Sequence, residues 1–264
     1  DEPEAPAPSS LKNIKEVEHH YELVDTQEKR KKLIDYLLKQ KVLSFDTETT
    51  GLDSHTAELV GMSFSVKHAE AFYVPVPEDQ EEVKKIVYEF KEVFKKEGIV
   101  KVAQNLKYDL SVLKRYGIEF EGKFFDTMIS HFLIRPEMRH SMNVLAETYL
   151  HYSPVSIETL IGKKGKDQLS MRDVPYETIS EYAAEDADIT LQLYEVFEPK
   201  LKNAGTEKLF YEVEMPLVPV LSAMEAEGIT LDKNALNILS EELANDITGV
   251  EKESIAHDCC GIRR

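Results

Sequence analysis

Cysteine is nearly absent from this chain of 264 residues: Cys259 and Cys260, side by side near the end, are the only two. Neighbours in sequence cannot staple distant parts of a fold, and no zinc-ligand spacing exists. A disulfide framework and a zinc module are therefore excluded, and a reducing, cytoplasmic setting is expected. Long apolar runs are missing as well; none approaches the ~18 residues of a membrane helix, so no membrane association is expected. The opening residues, DEPEAPAPSS, have neither the basic start nor the apolar stretch of a signal peptide. There is no initiating methionine, and the chain reads as a piece of something longer. Basic residues are the last shortage: 32 Lys and Arg face 49 Asp and Glu, for a net charge of −17. Phosphate binding ordinarily needs the opposite excess, because counterion release supplies much of the affinity. The acid surplus fits either plain solubility or a nest of carboxylates that holds cations, and composition does not choose between them.

What is present is 42% hydrophobic and 31% charged, enough for one good core and a small appendage. Residues 1 to about 18, with Pro3, Pro6 and Pro8 among acids and small residues, read as a linker. A helix is predicted near residue 26, with Asp25 and Glu28 spaced as a cap-and-return pair. Its apolar positions Leu33, Ile34, Leu37 and Leu38 recur at helical intervals. Residues 41–48 (KVLSFDTE) predict a strand running into an acidic end, and residues 58–66 and 70–76 predict two more, close enough for an antiparallel meander. The pattern then alternates: a charged helix over 79–97, a short strand over 99–104, a helix from about Lys107, and another capped by Asp126. Helical stretches continue to about residue 200, interrupted by the basic loop GKKGKDQ at 162–168. No internal repeat is visible. This order predicts an α/β domain with a mixed β-sheet flanked by helices.

Three acidic segments carry the chemistry. In FDTETTGLD (45–53), Asp46 and Glu48 are two apart on a strand and so share a face. Two like charges at the end of a buried strand are costly unless they bind a cation or share a proton; the alternative is a solvated strand end. Gly51 supplies a turn directly after them. In AQNLKYDL (103–110), Asp109 sits early in a helix, where it either serves the chemistry or simply complements the helix dipole. In EYAAEDADIT (181–190), Tyr182 and Asp186 are four apart on one helical face, Glu181 and Glu185 form a neighbouring row, and Asp188 lies further round. The commoner meaning of such a run is a solvated acidic face. Taken together, acids from three separated segments could surround a pair of divalent ions, as in two-metal phosphoryl-transfer sites. Hard oxygen donors suit Mg²⁺ or Mn²⁺, and the tyrosine one turn before Asp186 could hold a water in line with a phosphorus.

FDTETTGLD, QNLKYDL and YAAEDADITLQLY resemble the three exonuclease motifs of family A bacterial DNA polymerases, the DNA polymerase I family. GIEFEGKFFDTM (117–128), RHSMNVLAETYL (139–150) and IGKKGKDQL (161–169) are similar too, and EMPLVPVLSAMEAEGITLD (214–232) resembles the passage into the polymerase domain. The resemblance runs from about residue 40 to about residue 253 and agrees in order and spacing. It implies a ribonuclease H-like fold and a proofreading 3′→5′ exonuclease acting on the single-stranded or frayed 3′ end of DNA. The catalytic residues it implies are Asp46, Glu48, Asp109, Tyr182 and Asp186. Asp46, Glu48 and Asp186 would hold one Mg²⁺ or Mn²⁺, Asp46 and Asp109 would serve a second, and Tyr182 would orient the attacking water. Leu52 matches an apolar wedge against the terminal bases. Thr47, Gln104, Asn105, Tyr108 and Arg139 fall at the substrate-binding positions. Ile157 departs from the pattern, standing where some relatives carry an aromatic beside the 3′ base. The implied organisation is a linker over 1–20, an exonuclease domain over 21–204 and the truncated helical start of a polymerase domain over 205–264. Its partner would be the polymerase domain of the same parent, and a monomer is expected. Residues 254–264 do not resemble the family continuation and read as an artefact, and without fingers and palm no polymerisation is expected. Lys163, Lys164 and Lys166 make a local basic loop that is either a DNA contact or ordinary solvated surface. The alternatives are a ribonuclease D-like 3′ trimmer of RNA and a catalytically silent scaffold, though all four acids and the tyrosine are in place.

Overall fold

Six strands form one mixed sheet in the spatial order β1–β4–β3–β2–β5–β6. They are β1 His20–Leu23, β2 Val42–Thr49, β3 Leu59–Lys67, β4 Glu70–Pro75, β5 Val100–Ala103 and β6 Phe124–Asp126. This computed structural model describes residues 11–261, with side chains to residue 255. Residues 1–10 of the expected linker, the side chains of Cys259 and Cys260, and the end of the 254–264 segment lie outside the described residues. The expected meander is present, since β2 pairs antiparallel with β3 and β3 with β4. β1–β4, β2–β5 and β5–β6 are parallel. β2 is thus an interior strand with a partner on each side.

The helices are α1 Gln27–Leu37, α2 Gln80–Glu89, α3 Lys91–Lys95, α4 Leu106–Arg115, α5 Thr127–Ile134, α6 Met142–Leu145, α7 Glu158–Ile161, α8 Tyr176–Ala204, α9 Glu207–Leu209, α10 Met215–Glu227 and α11 Lys233–Gly261. Several depart from expectation. The cap of α1 is Thr26, whose hydroxyl accepts from Lys29 N at 3.3 Å, while Asp25 pairs with the Lys29 ammonium instead. The helix predicted over 79–97 breaks at Phe90, where φ −88° and ψ 0° leave the helical region so that the buried ring stacks on Phe64 at 5.2 Å. The helical stretch expected to about residue 200 is interrupted by more than the basic loop. A π-helical turn, Ala146–Leu150, ends at His151 in the left-handed region, and residues 151–157 run without helix. Strands β1 and β6 are additions.

Two compact units are distinguishable, one reaching Ala226 and one starting at Glu227. The first contains the sheet. One face of β2 sends Leu43 and Phe45 into the main core, where Phe45 meets Phe94 edge-on at 5.3 Å. The other face carries Ser44, Asp46 and Glu48, as the alternation of strand side chains requires, and α8 packs across β1 to β5. Within 11–20, Lys12 forms an isolated bridge with Tyr152, and Ser153 N donates to Lys12 O at 2.8 Å. The second unit contains α11, whose described side chains are all exposed. Among the described residues no helix is long and apolar enough to cross a membrane.

Candidate active site

Asp46 and Glu48 point from the end of β2 toward Asp186 on α8. Each of the three offers a carboxylate oxygen, and these oxygens lie within 4.8 Å of one another. Glu48 and Asp186 are buried and Asp46 is partly so. Burial pushes the Asp46 carboxyl up to about 6. Burial first, and then the neighbouring carboxylates, hold Glu48 and Asp186 well above the usual range. Asp186 Oδ1 is buried with no hydrogen-bond partner. Uncompensated, such a cluster is an electrostatic debt that a hard divalent cation would cancel.

Asp109 comes from the first turn of α4 and stands outside that trio. Its Oδ1 accepts from Thr47 N at 3.1 Å and from Thr47 Oγ1 at 2.5 Å. Burial and the charge of Asp46 hold its carboxyl well above the usual range too. Thr47 therefore serves as the clamp between β2 and α4. Tyr182 lies one helical turn before Asp186. Burial and the charges of Asp186, Glu48 and Asp46 drive its hydroxyl far above its ordinary value. Beside the carboxylates the hydroxyl is a donor.

The reading of 181–190 as a solvated acidic face holds only for Glu181, which is exposed. Glu185 is fully buried and accepts from Tyr152 Oη at 2.5 Å and Val155 N at 2.8 Å. Asp188 accepts from Tyr21 Oη at 2.9 Å and Ala69 N at 3.0 Å. These two acids bolt α8 to the 151–157 segment and to the sheet edge, leaving Asp186 as the one acid of the run aimed at Asp46 and Glu48.

The secondary positions come from several segments. Leu52 follows β2 and is 92% exposed. Tyr108 Oη meets Thr49 Oγ1 at 2.5 Å and donates to Gly51 O at 2.6 Å, so it braces the turn that carries Leu52. The Gln104 amide is engaged internally, donating to His140 O at 2.8 Å and accepting from Thr127 Oγ1. Asn105 adopts φ +65° before α4 and is exposed. Arg139 is exposed and forms no ion pair among the described residues. Ile157 is 42% exposed just ahead of α7.

Sequence reasoning missed two supports. Gly61 faces Glu48 across the β2–β3 ladder, and a Cβ there would lie 2.2 Å from the Tyr73 hydroxyl, so the Tyr73 ring occupies the space beside Gly61. The signal was a glycine inside a strand pattern, which marks a close approach. Asp126, expected as a cap for α5, also accepts from Leu106 N at 2.8 Å at the start of α4. It thereby fixes the helix that presents Asp109.

A family model described as 3′-5′ exonuclease matches residues 21–202. DNA polymerase I of Borreliella burgdorferi is 34% identical over 256 residues, covering 95% of this chain and 28% of that protein. DNA polymerase I of Rhizobium leguminosarum is 38% identical over 236 residues, covering 80% of this chain and 23% of that protein. The chain thus spans about a quarter of the length of the curated relatives it matches. Among solved structures, Brucella melitensis NrnC superposes with a TM-score of 0.61 at 21% identity, covering 80% of this chain and 95% of that one. The catalytic core of RRP6 from Trypanosoma brucei gives 0.60 at 21%, covering 81% and 54%. These likenesses establish the ribonuclease H-like fold.

Proposed function

Because the chain belongs to the DNA polymerase I 3′-5′ exonuclease family, we propose that it hydrolyses DNA from the 3′ end by two-metal-ion catalysis. The observation that carries this reading is the convergence of Asp46, Glu48 and Asp186 in a buried cluster with the Tyr182 hydroxyl beside it. The donors suit hard cations: all are carboxylates, all have raised pKa values, and Asp186 Oδ1 lacks a partner. Asp46, Glu48 and Asp186 would hold one Mg²⁺ or Mn²⁺, and Asp46 with Asp109 a second. When bound, such ions supply neutralisation of the scissile phosphodiester and a stronger nucleophile. NrnC has been solved with bound Mg²⁺ on the same fold.

The chain's own groups do the rest. Tyr182, held protonated, donates to and orients the attacking water. Thr47 fixes the Asp109 carboxylate by two hydrogen bonds, which keeps it from turning away from Asp46. Leu52, exposed beyond the strand end, wedges against the terminal bases, with Asn105, Tyr108, Arg139 and Ile157 around the strand. Gln104, whose amide is spent on His140 and Thr127, positions the β5–α4 turn. The polymerase domain of a longer parent is the proposed partner, and a monomer in the cytoplasm is the proposed state.

The deciding experiment is a labelled single-stranded DNA oligonucleotide, with a matched RNA, incubated with Mg²⁺ or with chelator. Release of mononucleotides from the DNA 3′ end with Mg²⁺ alone is expected. Preferential trimming of the RNA would transfer the chain to the ribonuclease D-like reading, and no cleavage of either would leave a silent scaffold.

A further inference from the structure

Basic side chains are scarce here, so it matters how each group of them is spent. The run Lys29–Lys32 on α1 is largely consumed by acids: Lys29 pairs with Asp25, Arg30 with Glu89 and Lys32 with Glu28. The loop of residues 162–168 is different. Lys163, Lys164 and Lys166 are exposed, and none is paired with a carboxylate among the described residues. Asp167 is the one acid in it, so three lysines less one aspartate leave +2 in a chain of −17.

The loop also has fixed feet. Leu169 N donates to Ile161 O at 2.9 Å and Gln168 Nε2 to Gly162 O at 3.3 Å, closing the excursion on itself. Gly162, at φ +83°, makes the turn out of α7 that a side chain would strain. Leu160 and Ile161 on one foot and Met171 on the other pack in the small apolar cluster of Val60, Tyr73, Ile179 and Ala183, against which Tyr182 also rests. The second foot is bolted down by Arg172, whose guanidinium donates to Val76 O at 2.9 Å, Pro77 O at 3.1 Å and Leu59 O at 2.5 Å. Leu59 in turn pairs with Thr49 at the end of β2. Three free lysines are therefore held on a closed loop whose base shares packing with the tyrosine and the strand of the active site.

We propose that this loop binds the backbone phosphates of the single strand upstream of the scissile bond, so that it governs affinity for long substrates and not the hydrolytic step. The proposal rests on the exonuclease reading above. It accounts for how a chain of −17 engages a polyanion: attraction is concentrated on one anchored loop, and the acid surplus elsewhere repels misplaced duplex.

The test is the triple variant Lys163→Ala, Lys164→Ala, Lys166→Ala in the full chain, with the triple Lys→Arg variant as the charge-keeping control. Binding of a fluorescent eight-nucleotide oligo-dT with phosphorothioate 3′ linkages is followed by anisotropy in Ca²⁺ from 50 to 200 mM salt. Each lost single-strand phosphate contact should lower the slope of log K against log salt by about 0.7, so the alanine variant should lose up to ~2. Its affinity for the octamer should fall at least several-fold at the lowest salt, while its affinity for a dinucleotide and its melting temperature stay unchanged. The arginine variant should match wild type. An unchanged slope in the alanine variant, or an equal loss on the dinucleotide, overturns the proposal. Failure of wild type to cut DNA in Mg²⁺ would overturn the exonuclease reading separately, because the binding slopes are read without cleavage.

Discussion

At the residue level the proposed site separates into groups given chemical roles and groups that hold them. Tyr182→Phe removes only a donor, so kcat should fall by ~10²–10³, the value of one oriented contact, with Mg²⁺ affinity nearly unchanged. Single-turnover rates against Mg²⁺ concentration test this, and an unchanged rate would reduce Tyr182 to packing. Asp46 makes the opposite case, since its charge burdens the metal-free fold. Its folded pKa of about 6 exceeds the ordinary ~3.9, so between those values the folded state holds more protons. Stability from this group is therefore full below pH ~4, falls as pH rises to about 6, and is level above. Asp46→Asn should abolish cleavage yet stabilise the metal-free protein at pH 7.5 by on the order of 2 kcal/mol, with no gain near pH 3.5. His131, which burial and His140 push down to about 4, acts the other way between there and ~6.5. The comparison must accordingly be variant against wild type, by thermal melting in chelator across pH. Equal melting temperatures at pH 7.5 would show that the cluster carries no repulsion to relieve.

Among the elements, β2, β3 and β4 were legible because their hydrophobic and β-prone runs are long enough to show a pattern. β5, only four residues, showed through its valines, whereas β1 (HYEL), of the same length with one apolar and one aromatic residue, and the three-residue β6 did not. β6 was further masked because Asp126 is both its last residue and the cap of α5, so the capping signal hid the strand. The break at Phe90 has neither Pro nor Gly to announce it; what coincides with it is a stack on Phe64 of β3, distant in sequence. Spacing put Asp46 with Glu48 and Tyr182 with Asp186 on shared faces, and the family resemblance joined these segments into one site, but which of the α8 acids turn inward was not legible. Glu185 and Asp188 are claimed by partners 33 and 167 residues away, Tyr152 and Tyr21. Asp126 offers the sharpest test at this level. Its carboxylate caps α5 through Met128 N and Ile129 N and also holds the start of α4 through Leu106 N. Asp126→Ala should cost about 1–3 kcal/mol by urea denaturation at pH 7, two helix caps less the relief of a buried charge. Cleavage should fall as well, through Asp109 on α4. A loss below ~0.5 kcal/mol would mean that the caps are replaced by water.

For the whole molecule, the proposed reading requires the terminal phosphodiester to reach carboxylates seated at a strand end behind the exposed Leu52, so the last nucleotides would have to be unpaired. Freeing three or four pairs at ~1.4 kcal/mol of stacking per step costs roughly 4–6 kcal/mol, and a chain of −17 has little with which to offset it. Single-stranded ends should be cut fastest, mismatched primer ends more slowly, and G·C-rich paired ends slowest by orders of magnitude, in single-turnover assays at fixed Mg²⁺ and salt. Equal rates on single-stranded and paired ends would contradict this geometry. The interior placement of β2 has one more consequence, for how the protein fails. Asp46 and Glu48 stand on a strand bonded to β3 over Ser44–Thr49 and to β5 over Val42–Ser44, and Asp186 stands on the helix packed across the sheet. The amide hydrogens of such a core strand are expected near the global-opening end of the exchange range. Asp126, the last residue of β6, ties that edge to α4, so β6 is expected to open with the sheet and not before it, leaving no partly active intermediate. In rising urea, specific activity per folded molecule should hold constant until the cooperative transition, with the amides of residues 44–47 among the last to exchange. Activity lost well before the tyrosine fluorescence transition would show that the site opens independently of its sheet.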